Sequence, residues 1–383
     1  VTSRERLLCA LKHQEPDRVP LDLGSIASGI SLFAYRRLCQ YLGVEAEECL
    51  VDRSQYLVRP QEEILHRFHI DIRYVYEEIP REVWSEDAPG RVWQDAWGVE
   101  RQFTGLYSDM VRHPLASVET REDLRRFSPP PLPPQEYYQG VRRELQDIRR
   151  RGHAAIVNLI ASCFEFAWYL RGFARFMEDL VLNPPLACGI MDMFLEFQIA
   201  QFDALLSRVG EWVDVVLCGD DLATQRGPIL SLELYRKYVK PRQKKLYEAI
   251  KKKTRAFLFY HSCGAITPFL SDLVDIGVEI INPVQVSAEG MDTRRLKKEF
   301  GAVLSFWGGI DTQRVLPFGS EKEVREEVRR RIDDLAPGGG YVLCAVHNLQ
   351  ADVPAENIVA MYEEALSYGR SKGGESEQIL SFL

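Results

Sequence analysis

Eight short apolar runs alternate with helical patterns along 383 residues, and they predict an α/β chain folded as a (β/α)8 TIM barrel with an insertion after the second strand. Three observations carry this expectation. Most of the runs are almost continuously apolar, as parallel strands covered on both faces are. Polar residues able to do chemistry gather at the C-terminal ends of the runs, where a barrel concentrates its active site. The stretch from Tyr76 to about Arg150 is too long for one crossover and reads as an insertion. By strand count alone, a doubly wound sheet is the alternative.

The chain opens with Thr2-Ser-Arg-Glu5, which has the form of a capping box and predicts a helix. The first strand candidate is Arg18–Leu23 and the second Ile72–Val75. Between the second and third lie Trp84, Trp93, Trp97 and Tyr107, then the run Ser128-Pro-Pro-Pro-Leu-Pro-Pro134. That composition predicts an inserted hairpin and a proline-rich return at about 76–150, within one domain spanning residues 1–383. His153–Ile160 leads into Phe164–Leu182, an apolar helix with Arg171, Glu178 and Asp179 on its polar side. Trp212–Gly219 precedes the amphipathic Leu232–Lys252, which Pro241 should kink or split. Arg255–Ser262, Gly277–Val284 and Ala302–Gly309 follow. Glu321–Leu335 sets Val324, Val328, Ile332 and Leu335 on one stripe of a charged helix, and Pro337-Gly-Gly-Gly340 stops it before the last candidate, Gly340–Val346. No internal repeat is visible, and the polar tail after Ser371 is expected to be mobile.

Apolar residues are 46% and charged residues 27%, the profile of a soluble globular protein. Net charge is −8 with both signs interspersed, so no basic stripe points to nucleic acid. No apolar run reaches the roughly 18 residues of a membrane span, and the N-terminal segment does not read as a secretory signal. The eight cysteines have no regular spacing and are expected to be free thiols in a cytoplasmic protein.

The most informative segment is Phe259-Tyr-His-Ser-Cys-Gly264. On a strand, residues i and i+2 share a face, so His261 and Cys263 form half of a zinc site at the strand's end. The other strand ends supply Asp22 and Gly24; Ser162 and Glu165; Asp220 and Asp221; Asn282 and Gln285; Trp307, Asp311 and Gln313; and Cys344, His347, Asn348 and Gln350. His347 is favoured as third ligand because it lies farther toward the mouth, with Cys344 as the alternative; a regular strand through both would let only one point inward. Plainer roles exist for the same residues. A His-x-Cys pair is often a packed histidine beside a buried thiol, Asp220 and Asp221 could cap the loop before Ser231, Trp307 suits a core, and Glu165 suits a helix start.

Phe259-Tyr-His-Ser-Cys-Gly264, Asn282-Pro-Val-Gln285, Phe306-Trp-Gly-Gly-Ile-Asp311, His347-Asn-Leu-Gln350, Asp220-Asp221 through Gly227-Pro228, and Pro354-Ala-Glu-Asn-Ile358 resemble the uroporphyrinogen decarboxylase superfamily. Within it, the chain is similar to the corrinoid-dependent methyltransferase branch. The resemblance implies a (β/α)8 barrel and a zinc site in which His261 and Cys263 match the branch's His-x-Cys pair. Where the coenzyme M methyltransferases have a cysteine as third ligand, His347 stands here, which puts their thiol chemistry in question. The decarboxylases carry arginines after the first strand, but Gly24-Ser-Ile-Ala-Ser-Gly-Ile30 has none. No Asp-x-His-x-x-Gly cobalamin signature occurs, so a corrinoid (cobalamin) would arrive on a separate protein docking over the mouth.

The expected function is therefore a zinc-dependent methyltransferase of the O-demethylase type, moving a methyl group from a small methoxylated or methylated substrate to a corrinoid protein. His261, Cys263 and His347 would hold the metal, and Glu165, Asp220 and Asp221 would do acid–base or orienting work. Tyr260, Gln285, Trp307, Asp311, Gln313 and Asn348 would meet the substrate. Related barrels are often dimers, so a homodimer is among the expected assemblies. The first alternative is a metal-free decarboxylase of a tetrapyrrole or smaller acid, with Asp220 or Asp22 at the reacting centre. The second is a non-catalytic binding protein on the same barrel.

Overall fold

The barrel is built from seven parallel strands whose order in space follows their order in the chain: Ile72–Val75, Ala154–Ala161, Val215–Gly219, Phe257–His261, Ile280–Asn282, Ser305–Ile310 and Tyr341–Ala345. This computed structural model describes residues 1–370; the segment read as a mobile tail lies outside them. Residues 19–23 fill the remaining place. Leu343 N donates to Pro20 O (2.9 Å) and Asp22 N to Leu343 O (3.1 Å), while Asp71 N donates to Leu21 O (2.9 Å). The first predicted strand thus closes the barrel by isolated bridges rather than a regular ladder. Pro20, which has no N–H to donate, accounts for part of that irregularity.

Strand alternation divides the core in two. Tyr74, Ile156, Leu217, Phe259, Ile280, Trp307, Val342 and Cys344 belong to a cluster inside the barrel. The intervening residues, among them Val216, Tyr260, Ile281 and Phe306, pack outward against the helices.

The remaining elements follow expectation in part and depart from it for identifiable reasons. The capping box at Thr2 forms, with Thr2 N donating to Glu5 Oε2 at 2.8 Å. Phe164–Leu182 is two helices, Glu165–Arg171 and Phe173–Leu182, parted at Gly172, whose φ of 90° glycine tolerates best. Pro241 does not split its helix in two: Leu232–Leu234, a π-helical turn at Tyr235–Val239 and Lys240–Lys251 follow without a break, and the wider turn just before the proline absorbs its missing N–H. The insertion carries three antiparallel strands rather than a hairpin: Val92–Gln94, Glu100–Phe103 and Ser108–Arg112. The helix Pro184–Val209, apolar on much of its circumference, was not anticipated. No described helix is long and apolar enough to cross a membrane.

Candidate active site

The fifth barrel strand sets the first ligand candidate. Phe259 points into the barrel, so His261, two residues on, points the same way one layer nearer the mouth. Its register partner on the neighbouring strand is Asn282. The Asn282 amide nitrogen donates to Trp307 O at 3.0 Å, which turns its oxygen toward His261 Nδ1 at 2.6 Å. Nδ1 must then carry the ring proton, and Nε2 presents its lone pair to the mouth. Cys263 Sγ lies 3.7 Å from that Nε2.

The strand ends at His261, and the backbone beyond it is held from two sides. Cys263 N donates to Asp221 Oδ1 (2.7 Å) and Gly264 N to Gln285 Oε1 (2.7 Å). Gly264 has φ 90°, and a Cβ there would stand 2.5 Å from Thr224 O and 2.6 Å from Ala223 O. The glycine after Cys263 is therefore required for the turn to tuck against that backbone.

Donor atoms of His261, Cys263 and His347 all lie within 4.8 Å of one another. Cys344, the other candidate, points into the barrel core and offers its thiol to Ala345 O. Parity along the last strand does not separate the two, because that strand ends at Ala345 and the chain bends before His347. The donor set of two imidazoles and one thiol suits zinc, whose bond lengths put neighbouring tetrahedral ligands about 3.5 Å apart. Burial, then the neighbouring His261, pushes the His347 pKa down to about 3, so its imidazole is neutral as a ligand must be. Burial pushes the Cys263 thiol well up, and the charges of Asp221 and Glu165 push it further. A thiolate there would need a cation beside it.

Glu165 begins the helix after the third strand, where Tyr169 is four residues on and on the same face. The Tyr169 hydroxyl donates to Glu165 Oε1, and Asp221 N donates to Oε2 at 3.1 Å. Crowding by protein, followed by the charge of Asp221, raises the Glu165 pKa to about 8. It is thus a protonated carboxyl at neutral pH that remains partly open to solvent. Tyr169 was not anticipated, although its spacing from Glu165 carried the signal.

Asp220 has a different role from the acid–base one expected of it. It is fully buried and accepts from Ser162 Oγ (2.5 Å), Phe164 N (2.8 Å), Glu165 N (2.8 Å) and Gln243 Nε2 (2.9 Å). It caps the helix that carries Glu165, rather than the loop before Ser231, and has no lone pair turned to the mouth. Asp22 is likewise enclosed, bound by Tyr74 (2.9 Å), Ser28 (2.5 Å) and Trp307 (2.9 Å), with its pKa raised to about 6 mainly by burial.

Two expected substrate contacts are corrected outright, because neither exposes surface. Trp307 is 0% exposed inside the barrel, edge-on to Phe259, and Tyr260 is 0% exposed on the outer face, bound to Gln243 and Asp220 O. Three others are also engaged by the protein. Gln285 holds Gly264, Asp311 accepts from Gln313 N (2.8 Å), and Asn348 pins the Gly24–Ser31 loop through Gly29 N (2.6 Å) and Ile26 O (2.9 Å). Gln313 is exposed and accepts from Ser287 Oγ at 2.7 Å.

The chain is similar to known proteins in sequence and in fold. The chain is 25% identical over 216 residues to methylcobamide:CoM methyltransferase MtbA of Methanosarcina mazei, a match spanning 56% of this chain and 58% of that protein. It is 24% identical over 266 residues to the Methanosarcina acetivorans protein of the same name, spanning 68% of this chain and 71% of the relative. A solved methyltransferase structure from Methanosarcina mazei superposes with a TM-score of 0.66 at 19% identity, covering 96% of this chain and 99% of the other, and confirms the barrel fold. Residues 96–368 match uroporphyrinogen decarboxylase (URO-D), and the chain belongs to that family.

Proposed function

We propose that the protein is a zinc-dependent methyltransferase that moves a methyl group from a small methoxylated or methylated substrate to a corrinoid carried by a separate protein. The observation that carries this reading is the convergence of His261, Cys263 and His347 beside a carboxyl kept protonated at neutral pH. Zinc held by those three residues would supply a Lewis acid for the heteroatom that loses its methyl group.

The chain's own residues do the rest. His261 is locked in one tautomer by Asn282, which keeps Nε2 free as a donor. Demethylation of an ether leaves an oxyanion, and Glu165 supplies the proton it needs, with Tyr169 and the Asp221 amide holding the carboxyl in place. Asp221 raises the Glu165 pKa by its charge and orients Cys263 through the backbone, so it couples the acid to the metal site. Asp220 supports that helix from beneath.

The relatives' name gives a second reading, in which a methylated cobamide is the donor and a thiol the acceptor. Incubation of the zinc-loaded protein with Co(I) cobalamin and a panel of methyl ethers and methylamines, followed by absorbance, tests the first direction. Methylcobalamin with thiols tests the second. Methyl transfer in either direction that fails in Cys263→Ala supports the assignment; turnover that survives in Cys263→Ala, or none in the wild type, contradicts it.

A further inference from the structure

An irregular turn in a helix outside the barrel brings a buried amide against the support of Glu165. Gln243 follows Tyr235 by eight residues, and the π-helical turn Tyr235–Val239 opens that interval. Eight residues of ordinary α-helix would turn the two side chains about 80° apart. The extra residue that a π turn accommodates takes up most of that angle and sets both on one face. There the Tyr235 hydroxyl donates to Gln243 Oε1 at 2.9 Å, and neither residue exposes surface. Single π turns inside helices are frequent at functional sites.

The bond from Tyr235 fixes which end of the Gln243 amide faces the barrel. Both hydrogens on Nε2 then go to acceptors, Asp220 Oδ2 (2.9 Å) and the Tyr260 hydroxyl oxygen (2.9 Å). Tyr260 gives its own proton to Asp220 O at 3.1 Å, so toward Gln243 it can only accept. A flipped amide would aim Oε1 at a carboxylate. Asp220 in turn divides its oxygens between two helices. Oδ1 takes Ser162 Oγ and the amides of Phe164 and Glu165, while Oδ2 takes Gln243, with Cys163 N and Sγ farther off at 3.4 and 3.8 Å. Without Gln243, a fully buried oxygen would have no short donor. Rotation of the carboxylate to find one would pull Oδ1 away from the two amides that start the helix of Glu165.

We propose that Gln243 is a positioning residue for the reaction: acting through Asp220, it holds the first turn of Glu165–Arg171 so that the Glu165 carboxyl stays between the Tyr169 hydroxyl and the Asp221 amide. The inference rests on Glu165 as the acid of the proposed methyl transfer and extends the support of that acid to a helix on the outside of the barrel. Gln243 touches neither substrate nor metal ligand, and its effect travels along hydrogen bonds alone.

Hydrogen exchange followed by mass spectrometry on the zinc-loaded full chain tests it, with Gln243→Met as a variant of similar length that has no donor. The segment holding the Phe164 and Glu165 amides should exchange at least about 10-fold faster in Gln243→Met, while the strand Tyr341–Ala345 keeps its wild-type rate. In methyl transfer, kcat should fall roughly 10- to 100-fold with KM and zinc stoichiometry unchanged. Tyr235→Phe leaves the amide in place but unoriented; it should show both effects in smaller measure, and it serves where Gln243→Met fails to fold. Unchanged exchange at Phe164 and Glu165 in both variants, faster exchange throughout the barrel, or a kcat as high as that of the wild type would overturn the proposal. Failure of the methyl-transfer reading would look different: the local change in exchange would be intact while the wild type itself turns nothing over. That outcome would keep the hold of Gln243 on Glu165 and remove the reaction it serves.

Discussion

At the residue scale, the site depends on a few atoms that are not ligands. Asn282 fixes which nitrogen of His261 is free, so Asn282→Ala should lower zinc affinity about 10- to 100-fold while leaving the fold intact, as a chelator competition would read out. Glu165 makes a prediction with a definite sign. Its folded pKa of about 8 lies above the ordinary 4.5, so the folded protein holds a proton that the unfolded chain has already released between those values. Stability is lost as pH rises through that window. Glu165→Gln removes the ionisation, so its melting temperature relative to wild type should climb from pH 4.5 to pH 8, as paired melts across that range would show. Activity of the wild type should fall as pH passes about 8, because the acid loses its proton. The residues themselves differ in how far they could be read in advance. His261 and Cys263 were legible because i, i+2 spacing at a strand end has one geometric meaning. The same alternation already separates Tyr260 from His261, since neighbours on a strand point to opposite faces. Asp220 was readable as an acid or as a cap of the loop before Ser231, but not as the cap of the helix that carries Glu165, because its partners Ser162 and Gln243 lie far away in sequence.

At the scale of elements, what matters is where regular structure stops. The fifth strand ends at His261 and the last at Ala345, and the irregular backbone beyond each carries Cys263 and His347 to a common point. The turn at Gly264 is the tightest of these constraints. Gly264→Ala should cost on the order of 1–3 kcal/mol through strain and backbone clash, and it should reduce bound metal more than a surface substitution of equal destabilisation does. Strand positions were legible because their apolar runs are short and bounded. Helix boundaries were less so: nothing in the apolar pattern of Phe164–Leu182 marks the break, which a single positive-φ glycine sets. The inserted sheet was seen as aromatic-rich sequence, but its third strand was not.

At the scale of the molecule, the barrel's closure is the weakest seam in hydrogen bonding, and ion pairs reinforce it. Asp71, 0% exposed, takes Arg6 (2.7 Å), Arg18 (2.8 Å) and the Leu21 amide (2.9 Å), which locks residues 19–23 against the second strand. Asp71→Ala would leave the largely buried Arg18 without its carboxylate, while Arg6 keeps Asp17, and should destabilise the fold by about 3–5 kcal/mol, measurable by urea denaturation. The loop that this seam leads into, Gly24–Ser31, is pinned by Asn348 next to His347, so loosening the seam should also loosen the metal site.

Zinc stoichiometry, measured by mass spectrometry on the wild type and on His261→Ala, His347→Ala and Cys344→Ala, tests the proposed centre most directly. About one zinc per chain is expected in the wild type and in Cys344→Ala, with little in the two histidine variants. A wild type without zinc after purification in its presence, or zinc lost on replacing Cys344 and kept on replacing His347, would contradict it.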